Sequence, residues 1–222
     1  MWQKIDPRGQ KVWITLPWSS ERFAKSRHQG AKFFLDDIKI REFTEKFYVR
    51  AGISKLVIRK AEKECELLIF TAKPAAILGK DGQKLKEFEA ALLKNFSLVV
   101  KVQVKEIKVP ELSAKIMAEF AAIQIEWRMP YRKIAKSVLQ KVMEKWAQGV
   151  KFQIGGRLWW TDISRSEKFI DGRLPLQTLR TDIDYHYTTA LTKYGILWIK
   201  VWICKWEIEK KINKTSNLEK VL

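Results

Sequence analysis

The sequence predicts an α+β fold divided into two domains, of which the second is sandwich-like, with helices on a mostly antiparallel sheet. Residues 31–109 alternate short helical and strand signals. Residues 112–146 carry apolar side chains at helical spacing, and residues 150–203 read as several strands joined by glycine-containing turns. Pro110 falls between the two patterns and is the best candidate for the domain boundary.

Composition favours a folded protein that binds a polyanion. The 222 residues are 46% hydrophobic, and 43 basic against 25 acidic side chains give a net charge of +18. Folding does not require this excess, because self-repulsion opposes the compact state. No apolar stretch approaches the roughly 20 residues of a membrane-spanning helix, so we expect a nucleic-acid partner and no membrane association. Residues 1–7 lack the apolar core of a signal peptide, which predicts an intracellular protein.

The cysteines and histidines indicate neither a disulfide nor a metal site. Cys65 and Cys204 lie far apart among apolar, strand-like residues, which predicts two buried thiols in a reducing compartment. His28 and His186 have no cysteine or histidine at ligand spacing. We therefore expect no metal and no cofactor.

The first domain is predicted to follow a basic arm. Residues 1–30 are basic and irregular, which is typical of an extended arm that ends in a turn. Within residues 31–109 the predicted order is helix, strand, strand, helix, Gly-x-x-Gly, helix and strand. Residues 31–48 give a clear helix signal, and residues 100–104 alternate strictly as a half-buried strand does.

The Gly-x-x-Gly loop is the first candidate for RNA contact. Gly79 and Gly82 allow a sugar-phosphate chain to approach the backbone closely, and Lys80 supplies positive charge. The helix that follows offers free N–H groups to a phosphate. Between two helices, after two strands and before a third, the loop favours a KH domain of the second topological type, which binds single-stranded nucleic acid. The alternative is an ordinary turn that leads into a helix.

The second domain is predicted to span residues 110–209. Its first helix ends before Pro130, and its second covers residues 131–146. The strands of residues 150–203 follow. Residues 210–222 are polar and charged and are predicted to form a mobile tail.

The helix after Pro130 is the second candidate for RNA contact, together with Arg128 just before it. Arg132, Lys133 and Lys136 fall at spacings that place them on one face, opposite the apolar side chains. The alternative is an ordinary solvated face. In a chain of this charge, phosphate contact is the better interpretation.

Paired carboxylates raise the possibility of an enzyme. Asp182 and Asp184 alternate on a predicted strand, so they would share a face and could hold a magnesium ion, as in a nuclease. Arg173 and Arg180 lie nearby in sequence, which favours a structural ion-pair cluster instead. No Walker loop and no nucleophile elbow is present.

Many ordered motifs resemble the bacterial family of small-subunit ribosomal protein S3. The most specific run is GRLPLQTLRTDIDY at residues 172–185. The other matching runs are residues 3–7, 18–24, 72–82, 110–115, 131–133, 156–158, 194–195 and 200–203. At residues 3–7 the chain has Asp6 where the family usually has histidine.

The resemblance implies a protein of the small-subunit head that binds 16S-type rRNA, contacts neighbouring head proteins and lines the path of entering mRNA. It implies that Arg132, Lys133 and Lys136 face the mRNA and help to separate its duplexes. Arg157, Arg173 and Arg180, which lie in or beside the matching runs, are further candidates for RNA contact. We expect one copy per subunit, no homo-oligomer and no catalysis, in a bacterial cytoplasm rather than an organelle. A free KH-domain regulator of RNA is the alternative.

Tryptophan usage is unusual. The chain has ten tryptophans, and its ten glycines fall well below the usual share of roughly 7%. Seven tryptophans occupy positions where the resembling family commonly has glycine: Trp2, Trp13, Trp146, Trp159, Trp160, Trp198 and Trp206. We hypothesise that the gene comes from a lineage that reads UGA as glycine. The alternative is genuine tryptophan that stacks on RNA bases.

Overall fold

The computed structural model describes residues 5–12, 14–49, 51–60, 64–96, 99–159 and 161–207. Two four-stranded sheets, each covered by helices, follow one another along the chain. The α+β fold class is therefore confirmed. Within these ranges, no helix combines the length and the apolar composition of a membrane-spanning segment.

The first sheet has the strand order β1-β2-β3-β4, with β1 at Ser20–Arg22, β2 at Ile53–Lys60, β3 at Glu64–Thr71 and β4 at Val99–Glu106. Strands β2 and β3 pair antiparallel, whereas β1 with β2 and β3 with β4 pair parallel. The predicted order of elements is confirmed. Strand β1 was not predicted, because its three residues are too few to show periodicity.

Three helices accompany this sheet in the first half of the chain: α1 (Arg27–Phe47), α2 (Pro74–Leu78) and α3 (Gln83–Phe96). Helix α1 begins four residues earlier than the predicted start at residue 31. Its N-cap is Ser26, whose hydroxyl accepts a hydrogen bond from the backbone N–H of Gln29 at 3.2 Å. A Ser-x-x-Gln pattern is a known helix start and marks this boundary in the sequence.

An aromatic cluster fixes α3 against α1. The ring of Phe88, fully buried, lies 4.9 Å from that of Tyr48 and 5.9 Å from that of Phe43. Leu92, one turn later on α3, is also fully buried. Each large buried side chain contributes about 2 kcal/mol, so these contacts hold the start of α3 in a defined position.

The second sheet has the order β6-β5-β8-β7 and is antiparallel throughout. Its strands are β5 at Gly149–Gly156, β6 at Arg165–Gly172, β7 at Thr181–Thr192 and β8 at Gly195–Glu207. Helices α4 (Ala114–Glu126) and α5 (Tyr131–Met143) cover one face and complete a shared apolar core. Helix α5 ends three residues before the predicted end at residue 146.

The start of the chain packs against the second sheet, which differs from the predicted extended arm. Residues 7–11 form turns, and the side chain of Lys11 is only 1% exposed. Its Nζ donates to the backbone oxygen of Thr181 at 2.5 Å and to the hydroxyl of Thr181 at 2.8 Å. Burial lowers the pKa of Lys11. A buried charge needs such partners, and these partners are supplied 170 residues later in the chain.

Both thiols are buried, as predicted. Cys65 is 1% exposed and Cys204 is fully buried, and neither forms a disulfide. Burial raises the pKa of the Cys65 thiol to about 11 and also raises that of Cys204. The two side chains therefore act as small apolar groups.

His186 on β7 makes folding sensitive to acid. Burial, together with Lys115 and Arg8, lowers its pKa from 6.5 to about 4. As the pH falls, His186 therefore takes up a proton in the unfolded chain before it does so in the folded chain. The stability that the neutral imidazole allows is fully present above pH 6.5 and is lost as the pH falls towards 4. We expect a loss of about 1 kcal/mol between about pH 7 and about pH 5.5. Urea unfolding at both values measures it, and the loss should be smaller in His186→Gln. Equal losses in the two proteins would contradict this assignment.

Two of the seven unusual tryptophans have a left-handed backbone. The φ angle is 62° at Trp146 and 57° at Trp159, and Trp146 is 91% exposed. Across the described ranges, Arg128 is the one other non-glycine residue with a positive φ. An L side chain in this conformation costs roughly 1–2 kcal/mol, whereas glycine adopts it readily. The backbone conformation at Trp146 and Trp159 therefore supports the hypothesis that the native protein has glycine at both positions.

The other five positions are not left-handed or lie outside the described ranges. Trp198 and Trp206 lie on β8 without a positive φ. Trp2, Trp13 and Trp160 fall among the residues that are not described. At these five positions the recoding hypothesis stays a prediction.

Candidate nucleic-acid interface

The Gly-x-x-Gly loop joins α2 to α3 through a single 3-10 turn. The φ angle is 71° at Gly79 and 72° at Gly82, so both positions favour glycine. A Cβ atom at Gly79 would lie 2.8 Å from Cγ of Lys84, whereas one at Gly82 would meet nothing within 4 Å. The backbone is therefore open at Gly82, where a sugar-phosphate chain can approach.

Lysines surround this loop. Lys80 is exposed, as are Lys73 before α2 and Lys84 and Lys86 in the first turn of α3. The α2–α3 turn brings these four positive charges to one region of the first sheet. Such a surface can hold phosphates of a single strand.

Helix α5 presents the predicted basic face. Arg132, Lys133 and Lys136 are exposed, whereas Ile134 and Val138 are 1% and 0% exposed in the core. The predicted arrangement of these side chains is confirmed. In the described part of the chain, Lys133 and Lys136 form no ion pair, so both charges are available to an anion.

Glu167 organises the start of α5. It accepts a hydrogen bond from the hydroxyl of Tyr131 at 2.9 Å and pairs with Arg132 at 3.5 Å and with Arg165 at 3.3 Å. Hydrogen bonding to Glu167 raises the pKa of Arg132 further. Sequence reasoning missed Arg165, because only the register of β6 places it beside Tyr131.

The predicted basic residues lie at opposite ends of the second sheet. Strand pairing places Gly156, Arg165 and the β7–β8 turn at one end, next to Arg157. Arg173 follows β6 and Arg180 precedes β7, so both lie at the other end. Arg157 thus joins the N-terminus of α5, while Arg173 and Arg180 form a separate region.

Two arginines, Arg157 and Arg128, lie at the first end, and side-chain hydrogen bonds hold Arg157 in place. Arg157 donates through Nε to the backbone oxygen of Thr161 at 2.8 Å and through Nη2 to Asp162 at 2.9 Å. Arg128 is exposed directly after α4, with φ of 63°. Arg128 and Arg157 both lie beside Tyr131, although they are separated along the chain.

Asp184 has a structural role with partners other than those predicted. Its Oδ2 accepts from the backbone N–H of Ala114, the first residue of α4, at 2.9 Å. Its Oδ1 lies 3.6 Å from a guanidinium nitrogen of Arg8. The predicted ion-pair cluster with Arg173 and Arg180 is wrong, because Arg180 pairs with Glu207 at 3.1 Å instead.

Asp184 therefore replaces a missing helix cap. Ser113 makes no side-chain cap bond to α4, so a carboxylate 70 residues away satisfies the helix N-terminus. Asp184→Ala is expected to lower the free energy of unfolding by about 1 kcal/mol, measured by urea denaturation. Asp182→Ala, which removes no comparable bond, is the control and should have a smaller effect. Equal effects would contradict the capping role.

No group of three or more histidine, cysteine or acidic side chains in the described ranges is arranged to hold a metal ion. The predicted absence of metal and cofactor stays a prediction.

Comparison with known proteins decides the family. The family model for the KH domain matches residues 39–112, and that for the C-terminal domain of ribosomal protein S3 matches residues 121–203. Small ribosomal subunit protein uS3 of Carboxydothermus hydrogenoformans is 37% identical over 216 residues, covering 97% of each chain. The chain belongs to the uS3 family.

Other uS3 proteins show the same extent of similarity. That of Persephonella marina is 40% identical over 92% of this chain and 90% of its own length. That of Parvibaculum lavamentivorans is 40% identical over 94% of this chain and 88% of its own length. The resemblance read from the motifs is thus confirmed, and the two matched ranges cover β2 to β4 of the first sheet and most of the second sheet.

Proposed function

We propose that this uS3-family chain is a structural, RNA-binding constituent of the small ribosomal subunit, located in its head, where it binds 16S-type rRNA and lines the mRNA entry path. The ribosomal and RNA-binding role follows from family membership. Contact with mRNA through Arg132, Lys133 and Lys136 is the finer part of the proposal, and with it a contribution to separating mRNA duplexes. The protein acts as one copy per subunit, beside neighbouring head proteins, in a bacterial cytoplasm.

The observation that carries the proposal is the basic face of α5. Its three cations project from a helix whose opposite face is buried, so the helix cannot turn to hide them. The adjacent end of the sheet adds Arg128, Arg157 and Arg165 to the same region. Rigid positive charge of this kind suits a polyanionic strand that passes over the surface.

A role without catalysis agrees with the family and with Asp184. The carboxylate of Asp184, a candidate magnesium ligand of a nuclease, binds the N-terminus of α4 and Arg8 instead. The position therefore serves folding, and a magnesium site there would have to break a helix cap.

Sedimentation of a native lysate on a sucrose gradient tests the proposal. We expect the chain to co-migrate with the small subunit after a high-salt wash, because many partly buried contacts hold an integral ribosomal protein. Isolated rRNA should bind more weakly as salt rises, by about 10³-fold between 50 and 200 mM if six or more phosphates are contacted. Recovery in light fractions with heterogeneous RNA would contradict the ribosomal role and favour a free KH-domain regulator.

A further inference from the structure

A groove of about 380 Å³ lies at the α5 N-terminal end of the second sheet. The aromatic and cationic side chains of its lining come from three separate parts of the chain: Arg128, Tyr131, Arg157, Trp159, Lys193 and Tyr194. Arg128 and Tyr131 flank Pro130, Arg157 follows β5, and Lys193 and Tyr194 form the β7–β8 turn. Tyr194 belongs to one of the runs that match the family, but only strand register brings it and Lys193 to this end of the sheet.

One wall of the groove is formed by a cation–π pair. The guanidinium carbon of Arg157 lies 5.6 Å from the centre of the Tyr194 ring. Hydrogen bonds to the backbone oxygen of Thr161 and to Asp162 fix the orientation of the guanidinium. Tyr194 is 49% exposed, so solvent reaches the pair. Unpaired bases of RNA stack on such aromatic and guanidinium planes.

The charge of the groove matches a nucleotide strand. Arg128, Arg157 and Lys193 contribute three cations to its lining. Glu126 contributes one carboxylate, and this carboxylate accepts a hydrogen bond from the backbone N–H of Leu191 at 3.3 Å. The net charge of the lining is therefore positive, which suits the phosphates on either side of a bound base.

The backbone at Arg128 adds an independent sign of function. With φ of 63°, Arg128 follows the last turn of α4 at a position where glycine would be less strained. Its side chain is exposed and gains no core packing in return. Strained residues that packing does not explain cluster at binding sites.

We propose that this groove holds one unpaired base of a single-stranded RNA, stacked on the Arg157–Tyr194 pair, with the flanking phosphates at Arg128 and Lys193. The inference rests on the proposed RNA-binding function and deepens it, since it adds a base-holding site beside the phosphate-contacting face of α5. Tyr131 lines the groove and Arg132 is the next residue, so one strand can contact both sites. The groove holds the RNA strand unpaired, while the basic face of α5 binds the phosphates of that strand.

Fluorescence anisotropy with the full chain tests this proposal. Two labelled dodecamers are compared: an unstructured RNA and the same ribose-phosphate strand without bases. We expect the wild-type chain to bind the base-bearing strand about tenfold more tightly. Tyr194→Leu should abolish this preference and leave affinity for the abasic strand unchanged, whereas Tyr194→Phe should retain it.

Tyr187→Leu is the matched control. Tyr187 is 48% exposed on β7, and Nζ of Lys200 lies 5.9 Å from its ring, but it does not line the groove. Its replacement should leave the preference intact. Arg128→Gly should weaken binding of both strands while raising the melting temperature, a combination that a purely structural role for Arg128 does not produce.

The outcomes separate this proposal from the function on which it rests. If wild type binds both strands equally, or if Tyr194→Leu keeps the preference, the groove proposal is overturned and RNA binding stands. If wild type binds neither strand, the RNA-binding function and the groove proposal both fail.

Discussion

Replacing Arg132, Lys133 and Lys136 together by alanine is expected to weaken binding of single-stranded RNA by about tenfold to a hundredfold at low salt. Each phosphate contact on a single strand contributes about 0.7 to the slope of log affinity against log salt, so the slope should become shallower by about 2. All three side chains are exposed, so the melting temperature should change little. Titrations at several salt concentrations measure both quantities.

A charge-matched control separates the basic face from net charge. Lys32, Lys39 and Lys46 are exposed on one side of α1, and their triple replacement removes the same three positive charges. It should leave the slope almost unchanged. An equal loss in both triple variants would show that overall charge, rather than the α5 face, determines binding.

The variant with alanine at Arg132, Lys133 and Lys136 also tests the proposed role at the mRNA entry path. Small subunits reconstituted with the triple alanine chain should translate an unstructured message at the normal rate. A message with a stable hairpin should be slowed, because the phosphates of the entering strand are no longer held. Equal rates on both messages would contradict duplex separation by these residues.

Replacing Trp146 and Trp159 together by glycine is expected to raise the free energy of unfolding by about 2 kcal/mol. Each change removes a left-handed L residue. For a chain of this size, the melting temperature should rise by roughly 4–8 °C. Trp206→Gly is the control: it lies on β8 without a positive φ, so glycine there should destabilise the protein. Destabilisation by the double variant would contradict the strain argument.

The native protein provides a direct test of the recoding hypothesis. Its intact mass should fall below the 26.1 kDa of this sequence by seven tryptophan-to-glycine differences. Peptide mass spectrometry should locate them at residues 2, 13, 146, 159, 160, 198 and 206. An intact mass that matches ten tryptophans would exclude recoding, and the left-handed positions would then be strained tryptophans.

Local patterns were sufficient for several features of the site. The spacing of Ile134 and Val138 fixed which side of α5 is buried, and hence that Arg132, Lys133 and Lys136 are exposed. The two glycines of the loop predicted a special backbone, which their positive φ angles confirm. The domain boundary at Pro110 and the RNA contacts of the individual residues stay predictions.

Local sequence patterns were enough to predict the α+β class, the order of elements, the buried thiols and the basic face of α5, because each depends on neighbours within a few residues. Four features could be found only in the folded chain: the partners of Asp184, the burial of Lys11, the separation of Arg173 and Arg180 from Arg157, and the groove around Tyr194. These features depend on strand register and on contacts between residues 37 to 176 positions apart, as in Arg157 with Tyr194 and Arg8 with Asp184. Periodicity shows which face of an element is buried, but it does not specify which distant element covers that face.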